Sequence, residues 1–129
     1  MKKEDLMIGD LVIRKDVLEE PMHVYDIKTS AGIVYLDQDG RGVTEKFENI
    51  EPIPLTKEIL EKNGFEGDVY LWVNAGDEKT LEYYPFEHRL ILWYEEGKNQ
   101  EILFKCQCFY VHEFQHALKL CGIKKEIVL

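Results

Sequence analysis

Short runs of alternating apolar and polar residues, broken by turn residues, constrain this chain more than any other feature. A period of two sends successive side chains to opposite faces of a strand, so each run can bury one face and wet the other. In the first half the pattern predicts strands at Gly9 to Lys15, Met22 to Thr29, Ile33 to Gln38 and Val43 to Ile50. Turn residues separate them at Glu20-Pro21, Ala31-Gly32 and Asp39-Gly40-Arg41-Gly42. Such spacing suits a small antiparallel β-barrel-like or strongly bent sheet.

The connector Glu51-Pro52-Ile53-Pro54-Leu55 is stiff, because each proline fixes φ and pushes the preceding residue towards extended geometry. It marks the internal boundary, with residues 1–55 as the barrel-like part and 56–129 as the remainder. Thr56 is a natural N-cap for the amide of Ile59, and Leu55 is placed to staple against Leu60. Asn63-Gly64 predicts a left-handed stop, with Phe65 folding back, so the helix lasts about two turns.

A second meander follows, with strands predicted at Val69 to Asn74, Thr80 to Tyr84, Arg89 to Glu95 and Glu101 to Phe109. Its turns are Asn74-Ala75-Gly76-Asp77 and Glu96-Gly97-Lys98-Asn99. Tyr70, Trp72, Tyr83, Tyr84, Phe86, Trp93 and Tyr94 concentrate here. They suit a ligand platform, although cross-strand packing under the final helix is the preferred reading in so small a core. The expected architecture is α+β: a barrel-like sheet, a connector helix, and an antiparallel meander packed by a C-terminal helix.

A chain of 129 residues, 45% hydrophobic and 32% charged, has the composition of an ordinary globular protein. Its net charge of −9 argues against a duplex-binding surface, which needs clustered Lys and Arg. An acidic surface can instead meet a basic partner or mimic nucleic acid. Apolar stretches such as Leu90-Ile91-Leu92-Trp93-Tyr94 are too short to span a bilayer, and Met1-Lys2-Lys3-Glu4-Asp5 leads into no signal-peptide core. The expected compartment is the cytoplasm, with no membrane association. Cys106, Cys108 and Cys121 are then expected as reduced thiols.

The sharpest chemical motif is His112-Glu113-Phe114-Gln115-His116, which matches the H-E-x-x-H helix of zinc peptidases. There, two His one turn apart bind zinc, the Glu activates the metal-bound water, and a third protein ligand comes from elsewhere. A metzincin-like extension would need Gly at 119 and His at 122, where this chain has Lys119 and Gly122. The only acid downstream is Glu126, in what reads as an extended tail. Lys119 also brings an ammonium towards the metal position. On the helix, Val111, Phe114, Ala117, Leu118 and Cys121 gather on one apolar face, and His112 and His116 are expected on the opposite, solvated side.

Cys106-x-Cys108 with His112 and His116 has zinc-like donor types, yet a strand turns both thiols to one face, with Phe104, away from the histidines. Buried structural cysteines are the preferred reading. A Cys108–His112 dyad lacks an oxyanion turn and an orienting group. Asp37-x-Asp39-Gly40 lacks the remaining ligands of an EF-hand and reads as a hairpin turn.

Three blocks carry a family resemblance: Ile8-Gly9-Asp10-Leu11-Val12, Ile50-Glu51-Pro52-Ile53-Pro54-Leu55-Thr56 continuing through Ile59-Leu60 to Asn63-Gly64-Phe65, and Val111-His112-Glu113-Phe114-Gln115. The chain resembles a family of small uncharacterised proteins from Bacteroidetes genomes, their phages and mobile elements. That family's final helix carries a V-H-x-L-Q-N-type pattern. The resemblance implies that His112 and Gln115 are family positions, while Glu113 and His116 complete the zinc motif by local coincidence. This chain departs from the pattern at Phe114 and His116, and its Cys121-Gly122-Ile123-Lys124-Lys125-Glu126-Ile127 ending replaces a T-G-E-E-L-type close.

The expected function is a non-enzymatic protein-interaction module of phage or mobile-element origin, with a protein partner and no cofactor. The alternatives are a zinc-dependent hydrolase with His112 and His116 as ligands and Glu113 as general base, or an acidic anti-defence protein that mimics nucleic acid.

Overall fold

The computed structural model describes residues 5–15 and 17–129. The fold is α+β, with two antiparallel five-stranded sheets and two helices, one of them C-terminal. The chain divides into two compact units, residues 1–53 with 110–112, and residues 54–109 with 113–129.

In the first unit, strands β1 (Leu11–Arg14), β2 (Val17–Lys28), β3 (Ile33–Gln38), β4 (Arg41–Lys46) and β5 (Ile50–Pro52) form a sheet in the order β4-β3-β2-β1-β5. It is an open sheet with β4 and β5 as its edges, and not a closed barrel. Inward residues Val12, Met22, Val24, Val34, Leu36, Phe47 and Ile50 build its core with Leu6. The Asp39-Gly40 hairpin forms as predicted: Gln38 faces Arg41, and both turn residues have positive φ, 49° and 85°.

The two largest departures from the expected strands lie in this sheet. Pro21, expected in a turn, lies inside β2. It is tolerated because the pairing with β1 shifts register between Val12 and Arg14, and the ladder to β3 starts only at His23. The expected strand from Val43 to Ile50 is interrupted at Phe47–Asn49 by a 3-10 turn. That turn carries Phe47, whose ring is buried in the core of the first sheet.

In the second unit, α1 (Lys57–Lys62) starts at Thr56, whose hydroxyl accepts from the Ile59 amide at 3.3 Å. It ends in a Schellman motif, with Phe65 N–H donating to Leu60 O at 3.0 Å and Gly64 at φ 92°. Strands β6 (Glu66–Gly67), β7 (Leu71–Gly76), β8 (Lys79–Tyr84), β9 (Arg89–Glu96) and β10 (Asn99–Gln107) follow as a meander in the order β10-β9-β8-β7-β6. The tiny β6 was not expected; Gly67 there faces Leu71, and a Cβ on it would stand 2.1 Å from the Tyr70 carbonyl oxygen. Glycine is therefore required to set the turn that presents Tyr70.

Helix α2 (Val111–Leu120) buries Val111, Phe114, Ala117 and Leu118, as its apolar periodicity predicts. Within the second unit the Phe114 ring meets Phe65 edge-on at 5.8 Å. A second Schellman motif closes α2, with Ile123 N–H on Leu118 O and Gly122 at φ 72°. The tail beyond it is held by buried Asn63, whose amide nitrogen donates to Val128 O and whose oxygen accepts from Val128 N–H, both at 2.8 Å. No helix among the described residues is long and apolar enough to cross a membrane.

Candidate functional site

The first turn of α2 holds the zinc-like residues. Glu113 lies in the positive end of the helix, and its carboxylate accepts from the Phe109 amide at 2.8 Å. This is a capping contact, which satisfies an amide that would otherwise be orphaned at the helix start. His112 is only 4% exposed and stacks near-parallel on Tyr110, ring centroids 5.9 Å apart. The expected solvated position therefore does not describe His112. Heptad-style reasoning assigns one packing stripe per helix, but here the first turn, residues 110–112, belongs to the first unit while the rest of the helix belongs to the second. In that turn Val111 N–H donates to Ile53 O at 2.8 Å, which ties it to the connector. His116 and Gln115 are half-buried, and Lys119 is exposed. Among the described residues, no three His, Cys, Asp or Glu side chains are grouped as a metal donor set.

The thiols gather on the inner side of the second sheet, where Cys106 stands opposite Leu90. Cys106 Sγ and Cys108 Sγ are 3.6 Å apart, as one-face placement requires. Burial pushes both thiols up, strongly for fully buried Cys108, where Cys106 and Glu113 add to the rise, whereas for Cys106 the hydrogen bond with Cys108 works against it. Cys121 is also raised by burial, then by Cys106. A thiol desolvated in this way is a poor nucleophile, so Cys108 offers no activated sulfur. Tyr83 joins this inner face: its hydroxyl donates to Cys108 O at 2.7 Å, and burial, then Cys108 and Glu113, push it up to about 12.

The opposite face of the same sheet is built differently. Register places Trp72 beside Glu82, and Glu82 beside Ile91; one row along, Asn74, Thr80 and Trp93 stand side by side. Glu95 follows Trp93 by two residues and so shares its face. Tyr70, Trp72, Thr80, Glu82, Trp93 and Glu95 line an open cleft of about 170 Å³. Tyr70 and Trp72 are 40% and 41% exposed. Tyr70 stacks on Tyr84 at 5.3 Å, and the Arg89 guanidinium sits 5.8 Å from the Tyr84 centroid. Glu82 accepts from Tyr84 Oη at 3.3 Å, and Glu95 from Gln100 Nε2 at 2.7 Å. Trp93 Nε1 is buried with no hydrogen-bond partner among the described residues.

Composition alone could not separate these aromatics. Tyr83 turns inward at 2% exposure, while Tyr84 turns outward and Phe86, at the turn, is 94% exposed. Glu82 and Glu95 carried no motif; the available signal was strand parity, since each glutamate sits an even step from an outward aromatic on its own strand.

No protein-family model, no curated protein and no solved structure matches the chain.

Proposed function

We propose that the protein is a non-enzymatic protein-interaction module and that the outer face of the second sheet is its ligand platform. The observation that carries this reading is that both tryptophans of the chain, Trp72 and Trp93, line one open cleft on a sheet face together with the carboxylates Glu82 and Glu95. Large amphipathic rings on rigid strands give contact area at little entropic cost, which is why Trp and Tyr dominate recognition hot spots. The other chemical candidates serve structure: Glu113 caps a helix, His112 packs on Tyr110, and the thiols are desolvated. A phage or mobile-element origin, implied by the family resemblance, agrees with a module that acts by occupying another protein.

The test is peptide-display selection against the immobilised protein, followed by titration of enriched peptides. Because the chain has only two tryptophans, both on this face, bound peptide should alter their emission, and Trp72→Ala should abolish binding while the circular dichroism is retained. Selected peptides that bind Trp72→Ala as tightly as the wild type would overturn the assignment.

A further inference from the structure

We infer that the cleft between Trp72 and Trp93 binds the guanidinium of an arginine presented by a basic protein segment. This inference rests on the outer face being the ligand platform, and it adds the chemistry of what is bound.

The lining is the first argument. Three rings, Tyr70, Trp72 and Trp93, share the cleft with two carboxylates, Glu82 and Glu95, and its sixth residue is the neutral Thr80. Among the described residues, no lysine or arginine lines it. Ring faces are negative, and carboxylates more so, so a flat cation is the group that gains from both at once. Guanidinium is the better fit than ammonium because it stacks on an aromatic plane while its edge N–H groups donate in a fork to carboxylate.

The second argument is a precedent inside the molecule. Along the same face, Arg89 already sits over the Tyr84 ring with its Nη2 donating to Glu87 at 2.7 Å. The ring-plus-carboxylate arrangement thus receives a guanidinium one step from the cleft. Lys105, which stands across Ile91 from Glu82 and outside the cleft lining, is the nearest competing cation along that row.

The chain's net charge of −9 draws a basic segment towards the surface as a whole, but the cleft supplies the specificity.

The experiment compares short peptides, each with one central arginine in a basic context, against copies in which that arginine is citrulline, the neutral isostere. Tryptophan emission and calorimetry read binding to the full chain. Arginine peptides should bind, citrulline should weaken binding at least tenfold, and Glu82→Gln with Glu95→Gln should erase most of that difference. Raising salt from about 0.05 to 0.5 M should weaken the arginine peptide more than the citrulline peptide. Equal binding of arginine and citrulline peptides, still lost in Trp72→Ala, would overturn the guanidinium assignment and leave the platform standing. Emission changes with neutral oligosaccharides in place of peptides would overturn it in favour of a sugar-stacking surface. Failure of any selected peptide to bind this face would overturn the platform itself.

Discussion

The two faces of the second sheet take the same kinds of residue and give them opposite work. On the inner face, Leu71, Leu81, Tyr83, Leu90 and Leu92 are 0–3% exposed, and the polar atoms present are spent internally, the Tyr83 hydroxyl on Cys108 O. On the outer face, Tyr70 and Trp72 stay about 40% exposed and line one cleft with Glu82, Trp93 and Glu95. An aromatic that packs inward contributes stability and rigidity, while one held open on the same rigid strands contributes a surface. Substitutions on the two faces should therefore separate stability from binding.

The largest effect on stability should come from the inner side. Phe114→Ala removes a fully buried ring that meets Phe65, and should cost about 3–5 kcal/mol in chemical denaturation. A cost below about 1 kcal/mol would show that this side is not the packed one.

Gly67→Ala comes next and links the faces. The added methyl would collide with the Tyr70 carbonyl at a φ of 131°, so about 1–3 kcal/mol of stability should go, together with peptide affinity, because the turn that presents Tyr70 moves. Loss of stability with unchanged affinity would remove Tyr70 from the platform.

A smaller effect follows from the inner polar groups. Tyr83→Phe leaves Cys108 O without that donor and should cost about 1–2 kcal/mol. The pH dependence has a definite sign. Burial raises the folded-state values of Cys108 and of Tyr83, the latter to about 12, so above the unfolded thiol and phenol values the native state holds more protons than the unfolded chain. Their contribution is complete below about pH 8.5 and declines as pH rises through the folded values, so thermal midpoints should fall on the alkaline side. Tyr83→Phe should flatten the upper part of that decline. A midpoint that rose between pH 9 and 11 would contradict the buried placement.

The smallest stability change belongs to the outer face. Trp72→Ala should alter the unfolding free energy by about 1 kcal/mol or less, yet abolish peptide binding. A large loss of stability here would mean that Trp72 packs rather than recognises.

Much of the fold was readable in the chain because its causes are local. Thr56 and Asn63-Gly64 mark the ends of α1 through backbone groups within a few residues, and the Asp39-Gly40 hairpin needs only positive φ at two positions. The misread segments involve distant partners. Pro21 sits within β2 because the ladder on either side makes room for it, and the barrel-like or strongly bent sheet stays open because β4 and β5 do not pair. Asn63 stops α1 as read, and its side chain also holds Val128, 65 positions away, which no local signal announced.

The candidate site divides along the same line. By itself the sequence determined the parity of each strand and the apolar stripe of α2, since periods of 2 and about 3.6 are properties of the backbone. It placed Tyr83 and Tyr84 on opposite faces without saying which was wet. Only the tertiary structure decided that Trp72, Glu82, Trp93 and Glu95 share one open face, and that His112 is buried while Glu113 caps its helix. Which strands become neighbours, in which register, and which face is left uncovered follow from contacts between distant residues, and no local spacing encodes them.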